Sequence, residues 1–363
     1  MTKEEALKTY YGYDVFRGGQ EAVIDALLSG RDALAIMPTG AGKSVCYQIP
    51  ALLLSGITLV VSPLVSLMRD QVTQLVQMGI PAAFLNSSLT FRQYLLALDR
   101  ARAGRYKIIY VAPERLETEG FRAFAQAADI SLVAVDEAHC VLDWGYTFRS
   151  SYLKIADFID SLKERPVVAA FTATAPETYR QEICSLLGMK KPEIFVNSLA
   201  RHNLILLRQD CVGLHVKKKL SKLKHQIKKY AGKGRVVVYC SSRKYTDLVT
   251  NYLTRQFPGE VAKCHGYMEA EKRQKQEMKF LAGKKRIMIA TTAFGMGVNV
   301  PDIRLVIHFN PPLSVIDYYQ QIGRAGRDGE TARAVLFDTP EDWALNEAIL
   351  NREEYSGELR QTL

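Results

Sequence analysis

Long apolar runs are missing from these 363 residues; none approaches the ~18 consecutive positions that a membrane-crossing helix needs. The opening stretch Met1-Thr2-Lys3-Glu4-Glu5-Ala6-Leu7-Lys8 carries acidic residues where a secretory signal requires an apolar segment, so a soluble, cytoplasmic protein is expected. Cysteine is sparse and scattered: Cys46, Cys140, Cys184, Cys211, Cys240 and Cys264 form no C-x-x-C pair. Several lie in apolar runs such as Val236-Val237-Val238-Tyr239-Cys240, which points to buried reduced thiols and away from a disulfide frame or a zinc site. No low-complexity tract or short repeat occurs. Acidic residues are absent from Cys211 to Thr246, a gap that leaves a lysine-rich segment uncompensated.

What is present is ordinary globular composition, 48% apolar and 24% charged. The length allows two to three domains of roughly 150 residues each. A formal net charge of +10 suits a polyanionic partner, because Lys and Arg displace condensed counterions from phosphates; alone it is a weak indicator. Short β-branched runs alternate with amphipathic stretches, the pattern of parallel sheets with helical crossovers. Strands are predicted at Ala33–Met37, Ile57–Val61, Ala82–Leu85, Lys107–Val111, Leu132–Val135 and Val167–Phe171, then at Arg235–Cys240, Val261–Cys264, Arg286–Ala290, Leu305–Phe309 and Ala332–Phe337. Helices are predicted between them, for example over Leu64–Met78 and Phe91–Ala103. The alternation breaks between Gly188 and Asn203, which places a boundary near Leu199: an α/β domain over residues 1–199, a second over 200–340, and a helical tail over 341–363. Ligands of such folds bind at the carboxyl ends of the strands, so a crevice between the domains is the expected site.

The segment Met37-Pro38-Thr39-Gly40-Ala41-Gly42-Lys43-Ser44 ends a predicted strand and opens a helix. Small residues there let backbone N–H groups wrap a phosphate, and the helix N-terminus adds its positive end. Lys43 is placed to reach β- and γ-phosphates, and Ser44 to ligate Mg²⁺. Met37 stands where the G-x-x-x-x-G-K-[ST] pattern has its first glycine, so the loop alone is also compatible with a plain glycine-rich turn. Further on, the apolar run Leu132-Val133-Ala134-Val135 ends in Asp136-Glu137-Ala138-His139. Asp136 can hold the metal and Glu137 can orient or deprotonate a water; with the phosphate loop upstream, a simple acidic cap is the lesser alternative. Near the other end, Gly323-Arg324-Ala325-Gly326-Arg327-Asp328-Gly329 sets two arginines three apart, on one face if the segment is helical. They suit transition-state charge on a γ-phosphate, although a solvated basic turn reads equally well in isolation.

Taken in order, these segments resemble the superfamily 2 helicases, and among them the RecQ family of DNA helicases, over nearly the whole chain. Tyr11-Gly12-Tyr13-Asp14-Val15-Phe16-Arg17-Gly18-Gly19-Gln20 is similar to the family's adenine-recognition motif, which implies that Tyr13 and Arg17 flank the base and Gln20 bonds its edge. Val60–Gln71, Val111–Leu116, Phe171–Ala175 and Thr291–Asn299 resemble the segments that grip the strand and couple it to hydrolysis, with Ser62, Thr172 and Thr291 as hydroxyl contacts. Asp143-Trp144-Gly145-Tyr146-Thr147-Phe148-Arg149 resembles the family's aromatic-rich loop, with Trp144 and Phe148 as stacking faces and Arg149 as a phosphate or base contact. The same residues could fill a core, but their spacing between glycine- and serine-flanked breaks favours a loop.

The resemblance implies two tandem RecA-like parallel-sheet domains with ATP and Mg²⁺ in the cleft between them. It also implies a 3′-to-5′ motor on single-stranded or partly duplex DNA, used in recombination and repair and nucleoid-associated if bacterial. Two enzyme or binding alternatives stay open, an RNA-directed helicase and an ATP-dependent clamp with little unwinding. Departures are His265-Gly266-Tyr267-Met268, the interdomain run Ser198–Asn203, and Tyr146-Thr147 in the aromatic loop. The family commonly continues into a four-cysteine zinc module and a winged helix; neither follows here, so weak duplex separation is expected of this chain. Lys217, Lys218, Lys219, Lys222, Lys224, Lys228 and Lys229 flank a stripe of Leu220, Leu223, Ile227 and Tyr230, which predicts a packed helix with a lysine-rich outer face, either solvated or touching phosphate.

Overall fold

The computed structural model describes residues 1–38, 40–142, 149–173, 175–198, 200–232, 234–292, 294 and 300–350. The chain separates into two compact units, Met1–Leu199 and Ala200–Leu363, and each is described by itself.

In the first unit seven strands form one sheet: β1 (Ala33–Ile36), β2 (Ile57–Val61), β3 (Ala82–Leu85), β4 (Ile108–Val111), β5 (Ile130–Val135), β6 (Val167–Thr172) and β7 (Glu193–Val196), in the order β3-β4-β2-β5-β6-β1-β7. Every pairing is parallel. Because side chains alternate across a strand, each run feeds two cores. Leu34, Ile36, Leu59, Val61, Val133 and Val135 face one helical layer, while Ala33, Ala35, Val60, Leu132, Ala134 and Phe171 face the other. Continuous Val/Ile/Leu runs are what such a doubly covered sheet demands, and this is why they were readable as strands.

The second unit repeats the plan with β8 (Leu204–Asp210), β9 (Arg235–Tyr239), β10 (Val261–Cys264), β11 (Ile287–Ala290), β12 (Ile303–His308) and β13 (Ala332–Asp338), all parallel, in the order β10-β11-β9-β12-β13-β8. Val236, Val238, Ile289, Leu305 and Ile307 pack on one face; Val237, Met288, Ala290 and Val306 pack on the other. Renumbered from its own first strand, this order is that of the first sheet without its last strand.

Two strands, β7 and β8, escape the sequence reading. Both lie at sheet edges, where one side of the ladder meets no strand and the apolar pattern thins out; Leu206 of β8 is 57% exposed. The lysine-rich helix spans Val216–Tyr230 with Leu220, Leu223 and Ile227 buried, as its stripe predicts. Lys219 departs from the expected outer face: it is buried, donates to Asp342 Oδ2 at 2.5 Å, and lies 4.6 Å from the Phe309 ring centroid. All six cysteines are buried. Among the described residues no helix is long and apolar enough to cross a membrane.

Candidate nucleotide and nucleic-acid sites

Four neighbouring strands of the first sheet, in the order β2-β5-β6-β1, end on the same edge. Adjacent strands lie about 4.8 Å apart, so the residues that leave them form one short row. After β1 the chain turns through Gly40 (φ 84°) and Gly42 (φ 80°) into the Lys43–Leu53 helix. Both glycines occupy the left-handed region that side chains avoid. A Cβ on Gly42 would also lie 2.5 Å from Gln20 Nε2. That Gln20 amide is engaged with the loop itself: Nε2 donates to Ala41 O at 3.0 Å and Gly42 O at 3.1 Å, and Oε1 accepts Arg17 N–H at 2.9 Å. The Gln20 amide thus shapes the phosphate loop, a contact that the sequence reading did not foresee.

Arg17 is tied to the same place. Its guanidinium lies 5.5 Å from the Tyr13 ring centroid and donates to Gly40 O at 3.4 Å, while Tyr13 is half exposed. Tyr13, Arg17 and Gln20 thus converge on the loop mouth, a flat, partly cationic shelf beside a phosphate cradle. Met37, the departure from the glycine pattern, is fully buried; its N–H donates to Thr172 O at 3.0 Å and its sulfur lies 3.8 Å from Cys46 Sγ. The position completes the strand and fills the core, so bulk there leaves the cradle open. Pro38 is buried beside it, and Ala41, Lys43 and Ser44 are half-buried; Thr39 lies outside the described residues.

Asp136 follows β5 with 7% exposure. Burial, with Glu137 beside it, pushes its carboxyl up to about 7, against the pull of Lys43. A carboxylate so placed is satisfied by a cation, and with the Ser44 hydroxyl it supplies the hard oxygen donors that Mg²⁺ takes. Glu137 stands in the left-handed region at φ 49°, ψ 47°. His139 Nδ1 lies 3.5 Å from Glu137 Oε2 and 3.0 Å from Thr172 Oγ1, which joins the ends of β5 and β6.

Two of the expected strand contacts lie inside the first unit. Thr172 and Ser62 are both fully buried. Each closes a central strand on its inward side, so Thr172 Oγ1 meets His139 and Ser62 contributes its N–H to Val111 O at 3.1 Å. Of the aromatic segment, Trp144 and Phe148 lie outside the described residues, as does the Arg149 side chain; the Arg149–Tyr152 turn that follows is helical.

At the carboxyl edge of the second sheet, the neighbouring strands β10, β11 and β9 frame an open groove of about 860 Å³. Thr291 lines it, together with His265 and Tyr267, which the sequence reading named only as a departure from the family run, and with Ser242, Arg243 and Lys244, which it missed. Ser242 caps the Arg243–Gln256 helix by accepting Tyr245 N–H at 3.3 Å. Burial holds His265 below its ordinary value, so it is neutral at pH 7 and the groove's cations are Arg243 and Lys244. The only signal available in the sequence was position, since each of these residues follows an apolar strand. Asn310 steadies the groove from below: its Oδ1 accepts Ser241 N–H at 3.2 Å and its Nδ2 donates to Asp342 Oδ1 at 2.7 Å.

The arginine pair sits on the same unit but not on a helix. The preceding helix, Val315–Ile322, ends first, and Arg324 and Arg327 lie on successive turns. Arg201 donates to Ala325 O at 3.0 Å and Gly326 O at 2.7 Å, and Asn203 Nδ2 donates to Gly326 O at 2.8 Å, so these two residues brace the turn. Arg324 is 7% exposed and Arg327 half-buried. Beneath them His308 Nε2 meets Gln321 Oε1 at 2.9 Å, and full burial lowers His308 to about 4.

A family model described as DEAD/DEAH box helicase matches residues 17–182, and one described as helicase conserved C-terminal domain matches residues 218–329. The chain is 40% identical to the ATP-dependent DNA helicase RecQ of Pasteurella multocida over 98% of its own length and 55% of that protein's. It is 36% identical to the ATP-dependent DNA helicase RecQ of Synechocystis, over 94% of its own length and 72% of that protein's. In fold it is similar to the Mycobacterium smegmatis helicase Lhr bound to ssDNA and AMP-PNP, with a TM-score of 0.75 at 21% identity over 93% of this chain and 47% of that one. The chain spans little more than half the length of the first of these relatives. With two helicase models matched in series and relatives of this kind aligned over nearly the whole of this chain, the chain belongs to the RecQ family of helicases.

Proposed function

We propose that this chain is the motor core of an ATP-dependent DNA helicase, in which ATP hydrolysis stimulated by single-stranded DNA drives 3′-to-5′ movement along that strand. The observation that carries the reading is the row of strand ends in the first unit, where a phosphate loop shaped by Gln20 stands beside the buried Asp136, Glu137 and the His139–Thr172 link. Tyr13 and Arg17 would hold the adenine. Lys43 and the loop N–H groups would bind the phosphates, and Glu137 would take the proton from the attacking water. Ser44 and Asp136 would hold Mg²⁺, whose chemistry when bound is to neutralise phosphate charge. Arg324 and Arg327 of the second unit would stabilise charge on the γ-phosphate in the transition state. The groove bearing Arg243, Lys244 and Thr291 would seat the strand's phosphates without reading bases. Recombination and repair are the processes such a motor would serve, in the cytoplasm.

ATP turnover measured with single-stranded DNA, with single-stranded RNA and with neither tests the reading. Stimulation selective for DNA supports it. An equal response to RNA assigns the chain to RNA, and a flat rate makes it a clamp. Movement toward the 3′ end on a tailed substrate would overturn the polarity.

A further inference from the structure

The Asp136–Glu137 peptide is held on several sides. Asp136 N–H donates to Val61 O at 2.9 Å, and Glu137 N–H donates to Asp136 Oδ1 at 3.0 Å. The carbonyl of that peptide, Asp136 O, accepts a hydrogen bond from Tyr152 Oη at 2.8 Å. Immediately beyond it Glu137 adopts its left-handed conformation, which costs a non-glycine residue roughly 1–2 kcal/mol and persists only where neighbours enforce it. Rotating the peptide to relieve that conformation would break the Tyr152 bond inside the protein, where no water replaces it.

Tyr152 is built for this task. Its side chain is fully buried in the core that also holds Ile155, Phe158 and Val135. Its short helix, Arg149–Tyr152, packs against the turn at Ala138–Val141 that follows Glu137. The ring therefore has a fixed seat, and the hydroxyl has one carbonyl to meet.

We infer that Tyr152 is a positioning residue for hydrolysis: its hydroxyl locks the Asp136–Glu137 peptide so that the Glu137 carboxylate keeps the direction in which it acts. The inference rests on the reading of Glu137 as the base. Tyr152 is fully buried and reaches the site only through the Asp136 carbonyl, so it should act on turnover and leave affinity alone.

Tyr152→Phe keeps the ring and removes the bond. Saturated with single-stranded DNA, its kcat is expected to fall about tenfold, with KM for ATP and the Kd of a non-hydrolysable ATP analogue within about twofold of wild type. Rates are referred to nucleotide-binding sites, so misfolded chains do not enter. In a Glu137→Gln background, followed in single turnovers, the same change should cost less than about twofold, because the group it positions has already lost its function. A kcat within about twofold of wild type, or an equal loss in both backgrounds, overturns the inference. Wild-type turnover in Glu137→Gln alone would instead remove the base, and this inference with it.

Discussion

Strand for strand, β8–β13 retrace the order of β1–β6, so the ends of the two sheets can be compared position by position. Where β1 runs into the Gly40–Ser44 cradle, β8 runs into a turn that satisfies itself: Asp210 Oδ1 accepts Val212 N–H at 2.9 Å, and Leu214 N–H donates to Cys211 O at 3.1 Å. Where β5 ends in Asp136 and Glu137, β12 ends in Phe309 and Asn310, an aromatic ring and a neutral amide. β2 is followed by the buried Ser62 and β9 by the buried Cys240, but just beyond Cys240 the second unit opens: Ser241 and Ser242 line a groove with Arg243 and Lys244. Under the proposed function, one scaffold would carry two chemistries. The fold supplies a row of strand ends; a carboxylate pair and a glycine cradle would make one row fit for hydrolysis, while hydroxyls and cations would make the other fit for gripping a phosphate chain.

The sharpest way to break this comparison is at the carboxylates. Glu137→Gln should keep nucleotide affinity while turnover falls by about 100-fold or more, the usual worth of a general base. Turnover close to wild type in single-turnover measurements would show that the β5 end does not carry hydrolysis and that the two units differ less than their residues suggest.

A second test compares glycines at matched strand ends. Gly42→Ala meets both a positive φ of 80° and the Gln20 amide at 2.5 Å, so the loop must shift and nucleotide affinity should fall by about tenfold or more. Gly213, in the turn after β8, has φ 64°, but a Cβ there would meet nothing within 4 Å. Gly213→Ala should therefore lower stability by about 1 kcal/mol in a urea titration and leave nucleotide affinity untouched. Equal loss of affinity in both variants would contradict the assignment of the nucleotide to the first unit.

How much of this was legible beforehand follows from what each signal records. Central parallel strands such as Ile57–Val61 are buried on both faces, so they read as unbroken apolar runs and the sequence shows them. Edge strands such as Glu193–Val196 alternate half-buried and exposed positions and do not. The phosphate loop and the acidic strand end were legible because their chemistry needs particular residues at short spacing. The burial of Ser62 and Thr172 was not legible, because a hydroxyl at a strand end looks the same in sequence whether it is exposed or, as Thr172 does, meets His139 inside the protein. Lys219 was assigned to an outer face because its partner Asp342 lies 123 residues away, beyond any local pattern. Tyr152 was hidden by its neighbours: in a stretch dense with aromatics, nothing in spacing tells which ring reaches a backbone carbonyl.

The smallest effect is expected where the second unit's edge is braced. Asn310 takes the place of Glu137 in strand order, yet its amide is spent on structure, accepting Ser241 N–H at 3.2 Å and donating to Asp342 Oδ1 at 2.7 Å. Asp342 is itself fixed by Lys219 and by Thr339 Oγ1 at 2.6 Å, so the brace reaches back to the buried end of the lysine-rich helix. Asn310→Ala removes one acceptor and one donor, each worth about 1 kcal/mol, and frees the turn that carries Ser241 and Ser242. Single-stranded DNA should then bind about fivefold more weakly at fixed salt, with a nearly unchanged salt slope, because no phosphate-facing cation is lost. Nucleotide affinity should stay within about twofold, since the cradle belongs to the other unit. A marked drop in the salt slope would mean that Arg243 and Lys244 depend on this brace for their own placement. Weakened nucleotide binding would mean that the amide at the end of β12 still shares the task that its counterpart performs at the end of β5.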